Sequence, residues 1–154
     1  MQLSKGFHYA VRCLVHLALQ PGNSGADLKT LSRVQAVPPS YVAKIMSTLV
    51  RGGLVTSRLG RKGGYVLRKA PSEITLLEVY ELMEGRINFI HCVSGDWSCS
   101  LSPQCAQRPV WGRLQSAVEA AFNTTRLSDL VPRPMCAFNT PIPQLMLERR
   151  SKCL

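Results

Sequence analysis

Cys92, Cys99 and Cys105 fall within one 14-residue stretch. Thiolates are soft ligands that suit zinc or an iron-sulfur cluster, whereas magnesium and calcium take hard oxygen donors. The segment from His91 to Cys105 carries neither helical nor strand periodicity, so core packing does not account for the clustering. Half of the chain's 6 cysteines lie there. The C-x6-C-x5-C spacing lacks the paired C-x2-C of zinc modules and is a moderate metal signal by itself. A disulfide is the competing reading, and a reducing compartment disfavours it. Cys13 reads as a small buried hydrophobe, and Cys136 and Cys153 as free thiols near the end of the chain.

Charge supplies the second signal. The net charge of +10 resides entirely in residues 1–70, which hold 11 Lys and Arg against one acid, Asp27, while residues 71–154 hold 8 of each sign. A half-chain with a single carboxylate lacks the sign mixing of an ordinary solvated surface, which points to a polyanion partner, nucleic acid above all. The chain has no paired carboxylate site, phosphate-binding glycine motif, nucleophile elbow or C-x-x-C pair, so we expect no enzyme and no small-molecule substrate. Lys5, His8, Arg12 and His16 interrupt the apolar opening segment, which therefore reads as neither export signal nor membrane span. A cytoplasmic location without a membrane partner is the expectation.

Positioning these groups falls to a short series of elements. Leu3, Phe7, Ala10, Val11, Leu14, Val15 and Ala18 recur at helical intervals and predict a first helix ending before Pro21-Gly22. Asp27 is the expected N-cap of a short second helix through Leu28, Leu31 and Val34. Pro38-Pro39 then break the chain, and a third helix starts with Pro39 near its first turn. Its Val42, Ile45, Met46 and Leu49 fall on one side and Ser40, Lys44, Ser47 and Arg51 on the other, with Tyr41 and Ala43 flanking. An apolar inner stripe under a small, basic outer one suits a helix laid in a DNA major groove; an ordinary amphipathic surface helix shows the same pattern.

Leu54 to Leu59 and Tyr65 to Arg68 predict two strands around a Gly-rich turn, decorated by Arg58, Arg61, Lys62, Arg68 and Lys69. Helix, helix, turn, helix and basic hairpin is the order of a winged helix-turn-helix. Thr75 and Glu78 fit a capping box for a helix with Leu76, Val79, Tyr80 and Met83 on one face, ending at Gly85. Val110, Trp111, Leu114, Val118, Ala121 and Phe122 predict a long late helix, read as a dimer seam. The chain after Val131 holds four prolines and no clear period, and an extended or disordered tail is expected. The expected fold is mainly α with a small β-hairpin: a winged helix-turn-helix domain over 1–85, a cysteine-rich cluster-binding loop over 86–109, a dimerisation helix and turn over 110–131, and a tail over 132–154.

Over about residues 1–131 the sequence resembles the IscR/NsrR/RirA family of iron-sulfur winged-helix transcriptional regulators. The likeness rests on Leu3-Ser4-Lys5-Gly6 with Tyr9-Ala10-Val11-Arg12, Gly53-Leu54-Val55, and Gly63-Gly64-Tyr65. It continues through Ile74-Thr75-Leu76 with Glu84-Gly85, the three cysteines, Trp111, and Leu127-Ser128-Asp129-Leu130-Val131. The resemblance implies a homodimer on double-stranded operator DNA, with recognition helices in successive major grooves and wings in flanking minor grooves. Ser40, Tyr41 and Lys44 match recognition-helix positions, and Arg58, Arg61 and Lys62 would serve the wing. Cluster-biogenesis members place a glutamate at the position of Ala43, which cannot accept a hydrogen bond from a cytosine amine.

For the cofactor, the resemblance implies a [4Fe-4S] or [2Fe-2S] cluster held by Cys92, Cys99 and Cys105. One branch draws a further ligand from a histidine three residues past the last cysteine, where this chain has Arg108. The nitric-oxide-sensing branch uses an aspartate on the first helix of the partner subunit, at the position of His8. His8 is thus a candidate ligand across a dimer interface, or else a surface residue. The implied function is transcription regulation in response to iron, redox state or nitric oxide, with repression by the holo or the apo form left open. The alternatives are a winged-helix regulator with structural zinc or a thiol switch, and an electron-transfer protein with no DNA role.

Overall fold

A computed structural model describes residues 3–58, 63–90, 93 and 104–132. In chain order these form α1 (Lys5–Ala18), α2 (Leu28–Gln35), α3 (Pro39–Arg51), β1 (Val55–Arg58), β2 (Gly64–Leu67), α4 (Leu76–Glu84), α5 (Arg108–Thr124) and α6 (Leu127–Leu130). Short side chains start the helices by satisfying amides that have no partner within the helix. Ser4 accepts from the Phe7 amide at 3.1 Å, Asp27 from Thr30 at 2.6 Å and Thr75 from Glu78 at 3.0 Å. At the start of α3, proline's fixed φ replaces a side-chain cap.

Three helices and the hairpin base close over one apolar core, to which α4 and α6 contribute. α1 buries Phe7, Ala10, Cys13, Leu14 and Leu17, a line at 3.6-residue periodicity, rather than the stripe beginning at Leu3, which is 49% exposed. α3 buries Val42, Ile45, Met46 and Leu49, as its pattern predicted. On α2 the expected face is only partly right. Leu31 is buried, but Val34 is 47% exposed while Ser32 and Gln35 turn inward. The Ser32 hydroxyl donates to the Val37 carbonyl at 2.6 Å, so the turn into α3 draws that side of the helix toward the core.

The strands pair antiparallel, Val55 opposite Leu67 and Arg58 opposite Gly64. Leu54 stays outside the ladder because its amide still donates to Leu49 at the end of α3, while its carbonyl accepts from Arg68. The tip, with Arg61 and Lys62, lies outside the described residues. A third backbone segment joins the hairpin: Ala26 and Tyr65 exchange hydrogen bonds of 3.0 and 2.9 Å. Gly25 permits that approach. Its φ is +81°, and a Cβ there would stand 2.4 Å from the Tyr65 carbonyl oxygen.

The capping box at α4 is half formed. Thr75 caps as expected, but the Glu78 carboxylate turns to the Lys69 ammonium at 2.6 Å instead of reaching back to its own helix. The long late helix begins at Arg108, two residues earlier than its apolar pattern, and none of its residues is buried. Phe122 nevertheless stacks on Phe7, with centroids 6.1 Å apart, and meets Tyr80 edge-on at 5.5 Å. Backbone bonds from Leu76 to Thr125 and from Leu127 to Ile74 fasten the end of α5 and start of α6 beside α4. Leu127 is fully within the core. No helix among the described residues is long and apolar enough to cross a membrane.

Candidate nucleic-acid interface and cysteine region

α2 and α3 form the helix-turn-helix, and the turn between them has a specific local cause. Ala36 adopts the left-handed conformation at φ 53°, ending α2 with its amide directed at the Ser32 and Arg33 carbonyls. Pro38 then delivers the chain to Pro39 in the first turn of α3. The buried face of α3 leaves Ser40, Lys44, Ser47 and Arg51 exposed together, as the sequence predicted, and Tyr41, expected on the flank, is exposed beside them. Arg51 lies 3.4 Å from the Thr48 hydroxyl, which itself bonds the Lys44 carbonyl.

Tyr41 has a partner that helical spacing could not reveal. Its ring meets Tyr9 of α1 edge-on at 6.1 Å, and the Arg12 guanidinium sits 5.7 Å from the Tyr9 centroid. Arg12 is exposed beside the reading helix and belongs with the basic face; its only sequence signal was the Tyr9-Ala10-Val11-Arg12 run. On the hairpin, Arg58 reaches back to the Asn23 carbonyl at 3.5 Å, so the base of the wing leans on the loop between α1 and α2. Lys69, counted among the hairpin cations, is engaged by Glu78 and contributes little free positive charge.

Cys105 is half-buried just before α5, its carbonyl accepting from the Arg108 amide at 3.3 Å. Cys92 and Cys99 lie outside the described residues. Val93, between them, approaches Gly112 of α5, where an added Cβ would stand 4.0 Å from its side chain. His8 is exposed on α1, its ring 5.8 Å from that of Tyr9, and lines a groove of about 480 Å³ with Leu3, Phe7, Val11 and Leu76. No group of three His, Cys, Asp or Glu side chains among the described residues could hold a metal. His16 pairs with Gln20, whose amide donates to its carbonyl and stands 3.2 Å from its Nε2. Cys13 is fully enclosed, and burial pushes its thiol up to about 11.

A helix-turn-helix with an exposed basic helix, buttressed by a basic hairpin, defines a DNA-binding transcriptional regulator. The chain belongs to the Rrf2 family, described as iron-dependent transcriptional regulators, whose sequence pattern matches residues 3–133. A provisionally named HTH-type transcriptional regulator of Synechocystis sp. is 32% identical over 130 residues, covering 84% of this chain and 87% of that protein. The HTH-type regulator NsrR of Shouchella clausii is 29% identical over 132 residues, 85% of this chain and 89% of its own length. Among solved structures, CymR, the global cysteine regulator of Bacillus subtilis, superposes with a TM-score of 0.74 at 27% identity, covering 85% of this chain and 96% of that one. These relatives are transcriptional regulators rather than enzymes.

Proposed function

We propose that this Rrf2-family regulator is a cytoplasmic homodimer that binds double-stranded operator DNA and senses iron, redox state or nitric oxide through an iron-sulfur cluster. The observation that carries the sensing half is the set Cys92, Cys99 and Cys105 within 14 residues, adjoining the start of α5. Three thiolates match the donor chemistry of such a cluster, with His8 of a partner subunit as a further ligand. When bound, the cluster would supply a group that reacts with oxidants and nitric oxide. Cys105 is half-buried, an exposure at which a thiolate can be both held and reached.

The reading half rests on the exposed face of α3 and on the basic hairpin. Ser40, Tyr41, Lys44, Ser47 and Arg51 face the major groove from α3, and Arg58 with Arg61 and Lys62 serve the wing. Cations on phosphate supply most of the affinity and make it fall with salt, whereas side chains at base edges set sequence preference. Dimerisation is supported by α5, which buries no residue of its own and leaves Val110 and Leu114 at 43% and 48% exposure. Cluster state alters DNA affinity to the extent that the cluster binds the DNA-competent and incompetent arrangements unequally.

The test joins both halves. Protein purified without oxygen should be brown, with iron and sulfide in proportion, and Cys92→Ala, Cys99→Ala and Cys105→Ala should each lose that absorption. Lys44→Ala should weaken operator binding while leaving the spectrum intact, and lower the salt slope by about one counterion. Colourless protein that holds zinc, or no metal after reconstitution, would overturn the cluster reading and leave the cysteines as a structural site or thiol switch. Unchanged DNA affinity in Lys44→Ala and Arg61→Ala together would overturn the assigned reading face.

A further inference from the structure

α1, the end of α2 and the end of α6 line an open, largely apolar groove of about 410 Å³, with Val11, Val15, Leu19, Val34 and Leu130 along it and Arg12 and His16 at its polar side. Leu19, Val34 and Leu130 are 49%, 47% and 39% exposed, a concentration of large apolar side chains that an isolated regulator domain gains nothing by leaving open.

The chain itself leads there. Leu130 forms one wall, the described residues end two positions later at Pro132, and the family pattern ends at 133. Residues 134–154 therefore lie beyond the family pattern, in a segment with Met135 and Phe138 a few positions past Leu130 and further apolar residues, Ile142, Leu145, Met146 and Leu147, later in the sequence. We propose that Met135–Phe138 docks into this groove in its own chain. Met135 is five residues past Leu130 and Phe138 eight, and at roughly 3.3–3.6 Å per residue either can return to a wall that Leu130 already forms. The nearer segment is favoured over the distal one because it closes the shorter loop. A thioether and an aromatic ring fill irregular apolar space.

The docked segment would hold the end of α2 immediately before Ala36, where the turn into the reading helix begins. Full-length protein carrying p-benzoylphenylalanine in place of Phe138 tests this by irradiation and peptide mapping. The expected product is a crosslink from position 138 to Leu19, Val34 or a neighbouring wall residue within a single chain, running as a monomer on a denaturing gel. In parallel, Met135→Ser/Phe138→Ser should exchange the amides at the end of α2 at least tenfold faster than the wild type. Crosslinks to the groove of a second copy would overturn docking in the same chain and make another subunit the occupant. Crosslinks that avoid the groove, with unchanged exchange at α2, would overturn it altogether.

Discussion

Gly25→Ala should cost this protein far more than the loss of one glycine's flexibility. The residue sits at φ +81°, where an L side chain is strained, and a Cβ there would stand 2.4 Å from the Tyr65 carbonyl oxygen and 2.5 Å from the Val66 side chain. The backbone strain alone is about 1–2 kcal/mol, and relieving the overlap adds about 1–3 kcal/mol, because a paired carbonyl cannot swing aside as a side-chain tip can. Gly22→Ala is the internal control: its φ is +60°, but nothing stands within 4 Å of the added methyl. That variant meets strain without overlap, partly offset by an unfolded chain with about 0.4–1 kcal/mol less conformational entropy to lose. Urea denaturation of the two variants should therefore separate them by roughly 2 kcal/mol, a large fraction of the 5–15 kcal/mol that stabilises an ordinary domain. Since the overlap falls on the Ala26–Tyr65 bridge, the Gly25 variant should also bind operator DNA more weakly at temperatures where both are folded. Equal midpoints for the two would refute the claim that close backbone approach fixes the wing.

Three further outcomes follow from burial and charge. Leu127→Ala, at a side chain only 1% exposed, should destabilise the whole fold by about 2–5 kcal/mol in the same denaturation assay, despite lying outside the helix-turn-helix. Cys13, enclosed and with its thiol at about 11, should resist iodoacetamide at pH 8 in native protein and react once denatured, as read by mass spectrometry of its peptide. The Thr30 hydroxyl and then the Thr30 amide hold the Asp27 carboxyl below its usual range. A depressed carboxylate stabilises the fold above its unfolded pKa, and that contribution disappears as pH falls through the folded value. Asp27→Asn keeps a capping oxygen and should flatten this acid-side loss, which stability curves measured from pH 6 downward would detect.

Legibility followed the length of each pattern and the range of the contacts involved. The two faces of α3 were readable because its 13 residues repeat an apolar period through more than three turns. α2 has 8 residues and few apolar ones, so a hydroxyl bonded across the turn was enough to bring Ser32 and Gln35 inward and leave Val34 out. Thr75 and Glu78 matched a local motif, but Lys69 competes for the same carboxylate from beyond the helix. The Ala26–Tyr65 bridge and the Tyr9–Tyr41 contact join residues far apart in sequence, for which one chain's periodicity carries no signal. Within the candidate site the buried and exposed sides of α3 could be compared with the sequence pattern residue by residue, since its amphipathic helix is also a packing element. The cysteine signal came instead from ligand chemistry, which has no period.

The contacts that sequence could not foresee are the ones that join the two halves of the proposed function. The Ser4 hydroxyl both caps α1 and bonds the Glu84 carboxylate at the end of α4, just before the chain departs toward Cys92. Five residues on, Tyr9 of the same helix carries its ring against Tyr41 on the reading helix. Between them Phe7 packs on Tyr80 of α4 and Phe122 of α5. α1 is therefore a packed element touching the departure point of the cysteine segment, the long helix that follows it, and the exposed side of α3. Side chains in a close-packed interior switch between discrete arrangements rather than deform smoothly. If the proposed function holds, a change that reaches Glu84 or α5 would meet packed contacts through α1 as far as Tyr41, and His8, one residue before Tyr9, stands on that same element.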